Sequence, residues 1–338
     1  VHEYEKGDHS GYQAALDQLS GQVLNSQAIQ MKTVFTSGMS DSLSCPAVTV
    51  AGYKLNQTDC TWIQLAGSIA EQSATSSNLG YHVTTGGVRL GAQKQINGSW
   101  RTGFSVGYAN NYLTATGLTS NGEFFNASVS LKKKFEQWSF GGSVGLAHGW
   151  LQNYRSPQLS GNGAAGSLQE QYTSDSTMTM LALRLRAAYE FERGDYYVKP
   201  YVDFDVIYSR LPGYTEKGAG VLALKANSNS QYNIGITPMI EYGTDVVTDG
   251  KRRIKAFVSA GVSFLPNNKV STQMAFVNGL SSAGTYDVTT DGPTILGRFN
   301  LGIQAYESES LEVRAQYGLQ AGEGYWSQSV SANLLFRF

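Results

Sequence analysis

The chain has no apolar run of the roughly 18 residues that a membrane-crossing helix needs, so transmembrane helices are excluded. It also lacks an excess of charge of one sign. Its 25 lysines and arginines stand against 26 aspartates and glutamates, a formal net charge of -1, so neither nucleic acid nor a strongly acidic partner is indicated. Histidine is scarce: His2, His9, His82 and His148 make no metal-ligand spacing. Cysteine is scarcer still. Cys45 and Cys60 have no histidine between them, which speaks against a metal site. A disulfide between the two is the favoured expectation, two unpaired thiols the alternative, and a disulfide implies an oxidising compartment such as the periplasm. No cofactor is expected. Residues 1–6 lack the apolar core of a signal peptide, so the sequence is expected to be a mature tail or a fragment of something longer.

What the chain has is alternation. In residues 329–338, Val330, Ala332, Leu334, Phe336 and Phe338 are apolar, and Ser329, Ser331, Asn333 and Arg337 between them are polar, with Leu335 the exception. A period of two gives a strand with one apolar and one polar face. The same pattern recurs with no second hydrophobic layer to absorb it, which points to a closed barrel in a bilayer with its apolar face outward. The slightly polar mean hydropathy of -0.25 is compatible with this, because half of each strand faces a polar lumen. Tyrosine is abundant, at 20 residues, and suits two interfacial girdles. The pattern predicts twelve strands near 60–72, 80–95, 99–111, 122–135, 137–152, 174–192, 196–210, 228–244, 252–265, 293–306, 309–320 and 326–338. Connections after even-numbered strands are short. Those after the fifth, seventh and ninth are long (153–173, 211–227, 266–292), and those after the first, third and eleventh are intermediate. Outer-membrane barrels sort their loops this way, with short periplasmic turns and longer external loops. The expected fold is therefore an all-β transmembrane domain: a 12-stranded antiparallel outer-membrane β-barrel. Each strand already has two partners, so a monomer embedded in outer-membrane lipid is expected.

Residues 11–40 differ from the rest. Leu16, Leu19, Val23, Leu24, Ala28, Met31, Val34 and Phe35 recur at three- and four-residue steps, the spacing of an α-helix, with an interruption at Gly21 and a terminator at Gly38. Residues 1–10 then read as a linker from an absent passenger, 41–59 as a periplasmic connector and 60–338 as the barrel. A helix needs about 17 residues to cross the roughly 25 Å apolar band, so this stretch is long enough to plug the pore. Small residues on two strands, Gly141, Ser143, Gly145, Ala147 and Gly149 on one, Gly103, Ser105, Gly107 and Ala109 on the other, would leave it room; the alternative is that they only ease strand curvature.

Several motifs carry little weight. Residues 141–145 and 103–107 match G-x-S-x-G, but both sit mid-strand and not on a strand-to-helix turn. Residues 161–166 match G-x-G-x-x-G without the flanking strand and helix of a dinucleotide site, and read as an external loop. Asp203 and Asp205 share a lumen face with Lys199 and could pair with Arg184 and Arg186. A lumenal salt-bridge network bracing the barrel is favoured over a carboxylate dyad.

In their order along the chain, these features resemble the autotransporters of type V secretion. Residues 15–23 (Ala-Leu-Asp-Gln-Leu-Ser-Gly-Gln-Val) resemble the signature just upstream of that family's barrel, with Gln22 where Glu is common. Phe336-Arg337-Phe338 resembles its terminal aromatic signal, with Asn333 where Gly is frequent. The resemblance implies a C-terminal translocator domain in the outer membrane of a Gram-negative bacterium: a twelve-stranded barrel with an N-terminal helix in its lumen, the N-terminus toward the cell surface. Such a domain secretes and displays its own N-terminal passenger. It implies recognition by the barrel-assembly machinery through Leu334, Phe336 and Phe338. Asn25 is the only asparagine of the 11–40 helix, so the paired asparagines of self-cleaving members are missing. No enzymatic activity is expected. A barrel enzyme (lipase or protease) and a porin or adhesin barrel are the alternatives.

Overall fold

The computed structural model describes residues 18–43, 49–50, 53–54, 59–75, 79–157, 170–249, 252–277, 284–306 and 310–338. One helix, α1 (Val23–Ser42), precedes twelve long strands: β1 (Cys60–Gln72), β2 (Tyr81–Asn97), β3 (Trp100–Ala115), β4 (Leu118–Phe135), β5 (Trp138–Arg155), β6 (Tyr172–Tyr189), β7 (Tyr196–Leu211), β8 (Asn229–Asp249), β9 (Arg252–Phe264), β10 (Ile295–Tyr306), β11 (Leu311–Gly322) and β12 (Tyr325–Arg337). Residues 191–193 continue the register of β6 beyond Glu190. Each strand pairs antiparallel with its neighbours in the chain. β12 then pairs with β1, from Tyr325 opposite Gln72 to Arg337 opposite Cys60, and the cylinder is closed. Closure leaves no unpaired edge, which strands in hydrocarbon require.

Alternation decides which way each side chain points. Leu65 is 61 % exposed and Val330 61 %, on the outside; Arg184 is 4 % exposed, on the inside. Aromatics gather on the outer surface near both ends. Trp138 stacks on Phe140 at 5.8 Å and meets Tyr189 edge-on at 4.9 Å near one rim. Tyr208 and Tyr232 pair at 5.0 Å near the other. These are interfacial belts, where a ring can bury its body and hydrate its tip.

The two ends differ. At the turn end, strands are joined by turns such as Gly98-Ser99 and Glu136-Gln137. The loop end carries the long connections, with two differences from expectation. The third and eleventh connections are two-residue turns, Thr116-Gly117 and Glu323-Gly324, because the flanking strands run further than their sequence contrast suggests. The positive φ of Gly117 (+70°) and Gly324 (+62°) makes such tight reversals accessible. The long loops carry strands of their own. Segments 214–215, 224–226, 269–276 and 285–291 form a separate four-stranded sheet.

The helix lies inside the cylinder. Its 20 residues span about 30 Å at 1.5 Å per residue, enough for the apolar band. It starts near the loop end, where Asn25 meets the ribbon of strands Lys269–Phe276 and Thr285–Asp291, and finishes near the turn end, where the Leu43 carbonyl accepts a hydrogen bond from Lys132 Nζ at 2.9 Å. Residues 18–20 are helical too, but Gly21 at φ +72° breaks the run. Gly38 does not end the helix, which continues to Ser42. A β-carbon at Gly38 would lie 2.7 Å from the Arg89 guanidinium, so this glycine is there for close approach. Residues 1–17, and most of the expected connector (44–48, 51–52 and 55–58), lie outside the described residues.

Candidate functional site

The site is the occupied lumen. The helix sits against one wall, β2 to β6, and its apolar stripe of Ala28, Met31, Phe35 and Met39 is buried there with Phe124, Ala147 and Met178. The inward glycines of β5 form its bed. A β-carbon at Gly149 would lie 2.3 Å from Met31 Cε, one at Gly145 3.0 Å from Phe35 Cζ, and one at Gly141 3.0 Å from Leu43 Cδ2. Small residues therefore let the helix approach backbone to backbone. Polar helix residues find partners as well. Asn111 Nδ2 donates to Gln27 Oε1 (2.9 Å), Gln30 Nε2 to Tyr81 Oη (2.9 Å), and Lys32 Nζ to the side-chain oxygens of Asn233 (3.2 Å) and Asn268 (3.1 Å).

Both helix ends are tied. At the loop end Asn25 Nδ2 donates to the carbonyl of Val288 (3.2 Å), Thr272 Oγ1 donates to Asn25 Oδ1 (2.8 Å), and Thr290 Oγ1 donates to the Gln22 carbonyl (2.9 Å). The four-stranded sheet of the long loops thus folds onto the helix entry. Beside it, Arg155 forms a two-pronged ion pair with Glu216 (2.6 and 2.8 Å) and donates to the Leu222 and Gln18 carbonyls. At the turn end Ser130 Oγ donates to the Ser42 carbonyl (2.7 Å), and Arg89 donates to Asp41 (2.6 Å) and to the Val34 carbonyl (3.1 Å).

The expected lumenal charges can now be placed. Arg184 faces Asp205 across β6 and β7 with two hydrogen bonds of 2.6 and 2.8 Å. Arg186 faces Asp203 likewise, at 2.6 and 2.7 Å. Both arginines also donate to Ser40 Oγ on the helix. Lys199 is not paired with these aspartates. Its Nζ lies 2.5 Å from Glu241, its partner across β7 and β8. Glu241 was not foreseen, because β7 and β8 are separated by a long loop that hides their register.

Of the four helix positions singled out, Met31 is buried in the bed and Leu19 is half-buried against Tyr172, Leu222 and Ala223. Leu16 and the Val23 side chain lie outside the described residues. Cys60 is buried and disulfide-bonded; Cys45 lies outside the described residues. Phe336 and Phe338 are exposed on the outer face and Leu334 is half-exposed. Leu335, the break in the alternation, turns inward onto Trp62 and Cys60. Ser143 and Ser105 face the lumen, against Ser42 (3.0 Å) and Ser128 (2.7 Å). His148 points outward from the same strand as Ser143, bonded to Thr179 (2.9 Å) and edge-on to Trp150. The G-x-G-x-x-G segment at 161–166 lies outside the described residues.

The helix does not fill the cylinder. Between it and the opposite wall, β7 to β12 with β1, a cavity of about 440 Å³ remains, bordered toward the turn end by β2 to β6 as well. It extends from the level of Gln30 to Gln137 and Glu190 at the turn end.

Known proteins can be set beside this arrangement. The family described as "Autotransporter beta-domain" matches residues 61–318. The translocator domain of autotransporter NalP from Neisseria meningitidis superposes with a TM-score of 0.66 at 13% identity, covering 93% of this chain and 98% of that one. The β domain of the Bordetella autotransporter BrkA gives 0.58 at 15% identity, over 83% of this chain and 99% of that one. Esterase EstA of Pseudomonas aeruginosa is 23% identical over 278 residues, 79% of this chain. The chain spans 40% of that esterase's length.

Proposed function

The chain belongs to the autotransporter β-domain family, and on that premise we propose that its lumenal helix is both plug and tether for the passenger it secretes. A domain of this family anchors in the bacterial outer membrane and mediates secretion of its own N-terminal passenger. The loop end is then the cell-surface end and the turn end the periplasmic one. One observation carries the plug-and-tether reading: the helix runs from the loop end to the turn end inside a closed cylinder, held at both ends. A chain preceding it emerges at the surface, and the same helix blocks the path it followed. The salt bridges of Arg184 and Arg186 with Asp203 and Asp205 brace the wall beside the helix, and their bonds to Ser40 hold its lower end. Ions in a narrow polar lumen keep these pairs without the full desolvation cost of a dry core.

Assembly is assigned to the barrel-assembly machinery, reading the outward row of Leu334, Phe336 and Phe338. In the membrane the domain works as a monomer in contact with lipid. The domain has no chemistry of its own. Ser143 and His148 lie on opposite faces of β5, so they cannot act together. Surface display tests the reading. A reporter fused before Val1, behind a signal peptide, is expected on the cell surface and sensitive to external protease. Retention of the reporter in the periplasm with a correctly inserted barrel overturns it. The purified chain is expected to hydrolyse short-chain nitrophenyl esters no faster than buffer.

A further inference from the structure

Charged side chains are rare on the lipid-facing side of the strands, and they are sorted by end. In the loop-end half, among the described residues, Glu71, Glu123 and Asp175 point outward with Arg210 as their one cationic companion. In the turn-end half the outward charges are Lys94, Lys133 and Arg193, and no described strand residue adds an outward carboxylate there. These three stand on one arc of the barrel: β2, β4 and the 191–193 continuation of β6. None of them forms a salt bridge among the described residues. Alternate strands lie about 9.5 Å apart, so each cation makes its own contact and none chelates with another.

Lys133 has the most elaborate surroundings. Its neighbours across the ladder are Trp100 on β3 and Phe140 on β5, both exposed on the outer face. Its Nζ lies 5.0 Å from the centre of the Trp100 ring. An ammonium is attracted to an indole face, and a lysine stem can lie along apolar surface while its head stays at the water boundary. No described acceptor takes a hydrogen bond from this ammonium, so its donors are left for a group outside the chain. Arg193 repeats the pattern, with Tyr196 as its ladder partner and Phe191 two residues back on the same face, both exposed. A lysine binds phosphate as a point charge, and basic clusters at a membrane surface attract anionic lipid.

We propose that this arc is a binding surface for anionic phospholipid, with Lys133 as its principal contact. The phosphodiester sits on the Lys133 ammonium and the acyl chains lie on Trp100 and Phe140. The assignment of this lipid to the inner leaflet rests on the turn end being periplasmic; the preference for a negative headgroup does not.

The test is native mass spectrometry of the folded chain released from neutral detergent micelles doped with equal amounts of phosphatidylglycerol and phosphatidylcholine. Phosphatidylglycerol is expected to be retained preferentially, and the preference to shrink as salt is added before release. K133Q is expected to weaken phosphatidylglycerol binding roughly fivefold, K133R to retain it, and R210Q at the opposite rim to leave it unchanged. Heat-modifiable migration verifies that each barrel is closed. Equal retention of the two lipids by the wild-type chain overturns the proposal, whether or not any variant folds. So does a folded K133Q barrel with its preference intact, or an R210Q barrel that loses as much. Micelles have no sides, so the result stands apart from the display assay: a reporter held in the periplasm would overturn the orientation and leave the lipid preference in place.

Discussion

The two halves of the lumen are built on opposite principles. On the β2 to β6 wall, glycine, serine and alanine face inward and the helix presses against them, so contact is made by shape. On the far side the lining is polar, with Asn300, Ser329, Ser331 and Asn333 beside Arg298 and Arg314, no helix presses on it, and the space is left open. The first half holds a fixed object, and the second a chamber that reaches from the level of Gln30 to the turn end. The same inward-facing strand positions serve both, and what differs is the apolar company of Phe124, Ala147 and Met178 that the helix finds on its own side.

Four measurements press on that contrast. The largest effect is expected from deleting residues 11–40: conductance in planar bilayers rises, because the chamber is no longer closed off from the loop end. Unchanged conductance would sink the plug assignment. Next, D205N leaves Arg184 with an amide oxygen in place of the carboxylate and with the more distant Asp203 carboxylate (3.8 Å), and is expected to cost about 1–3 kcal/mol in unfolding from micelles; a loss below about 0.5 kcal/mol would mean that water solvates the pair freely. Third, G149L forces a side chain into Met31 and Phe124 and should cost about 1–3 kcal/mol, whereas S331L on the open wall should change stability by no more than about 0.5 kcal/mol. Equal losses at the two positions would erase the distinction between the walls. The smallest effect is expected from N25L, which strips the ribbon's carbonyl at Val288 of its donor and costs about 1 kcal/mol. Faster protease cleavage within residues 265–294 is the readout, and unaltered cleavage would show that the ribbon stays seated without the helix.

The strands were readable because burial on one face imposes a period of two, and lipid outside with a polar lumen inside satisfies it all along the chain. Arg184 and Arg186 could be matched to Asp203 and Asp205 because only residues 190–195 separate their strands and little slack remains in the register. Lys199 and Glu241 escaped because a long loop intervenes and register across it is set only by closure of the cylinder. The helix end was misplaced at Gly38 because a glycine that terminates and a glycine that admits a guanidinium look alike in one dimension. The four-stranded sheet of the long loops escaped for a related reason. Val270, Thr272 and Met274 do alternate, but their apolar side packs onto neighbouring loops and the helix entry, and neither contact is written in the loop itself.

The glycine bed has a consequence for measurement of length. Gly149 receives Met31 and Gly145 receives Phe35, each with a different shape beside it, so a slide of one helical turn, about 5.4 Å, would bring the ring of Phe35 to a notch already shared with Phe124. The rod therefore has one detent and no neighbouring ones. Whatever hangs from its upper end is paid out to a set reach and no farther, and the stopping point is cut into the wall as the bitting of a lock is cut for one key.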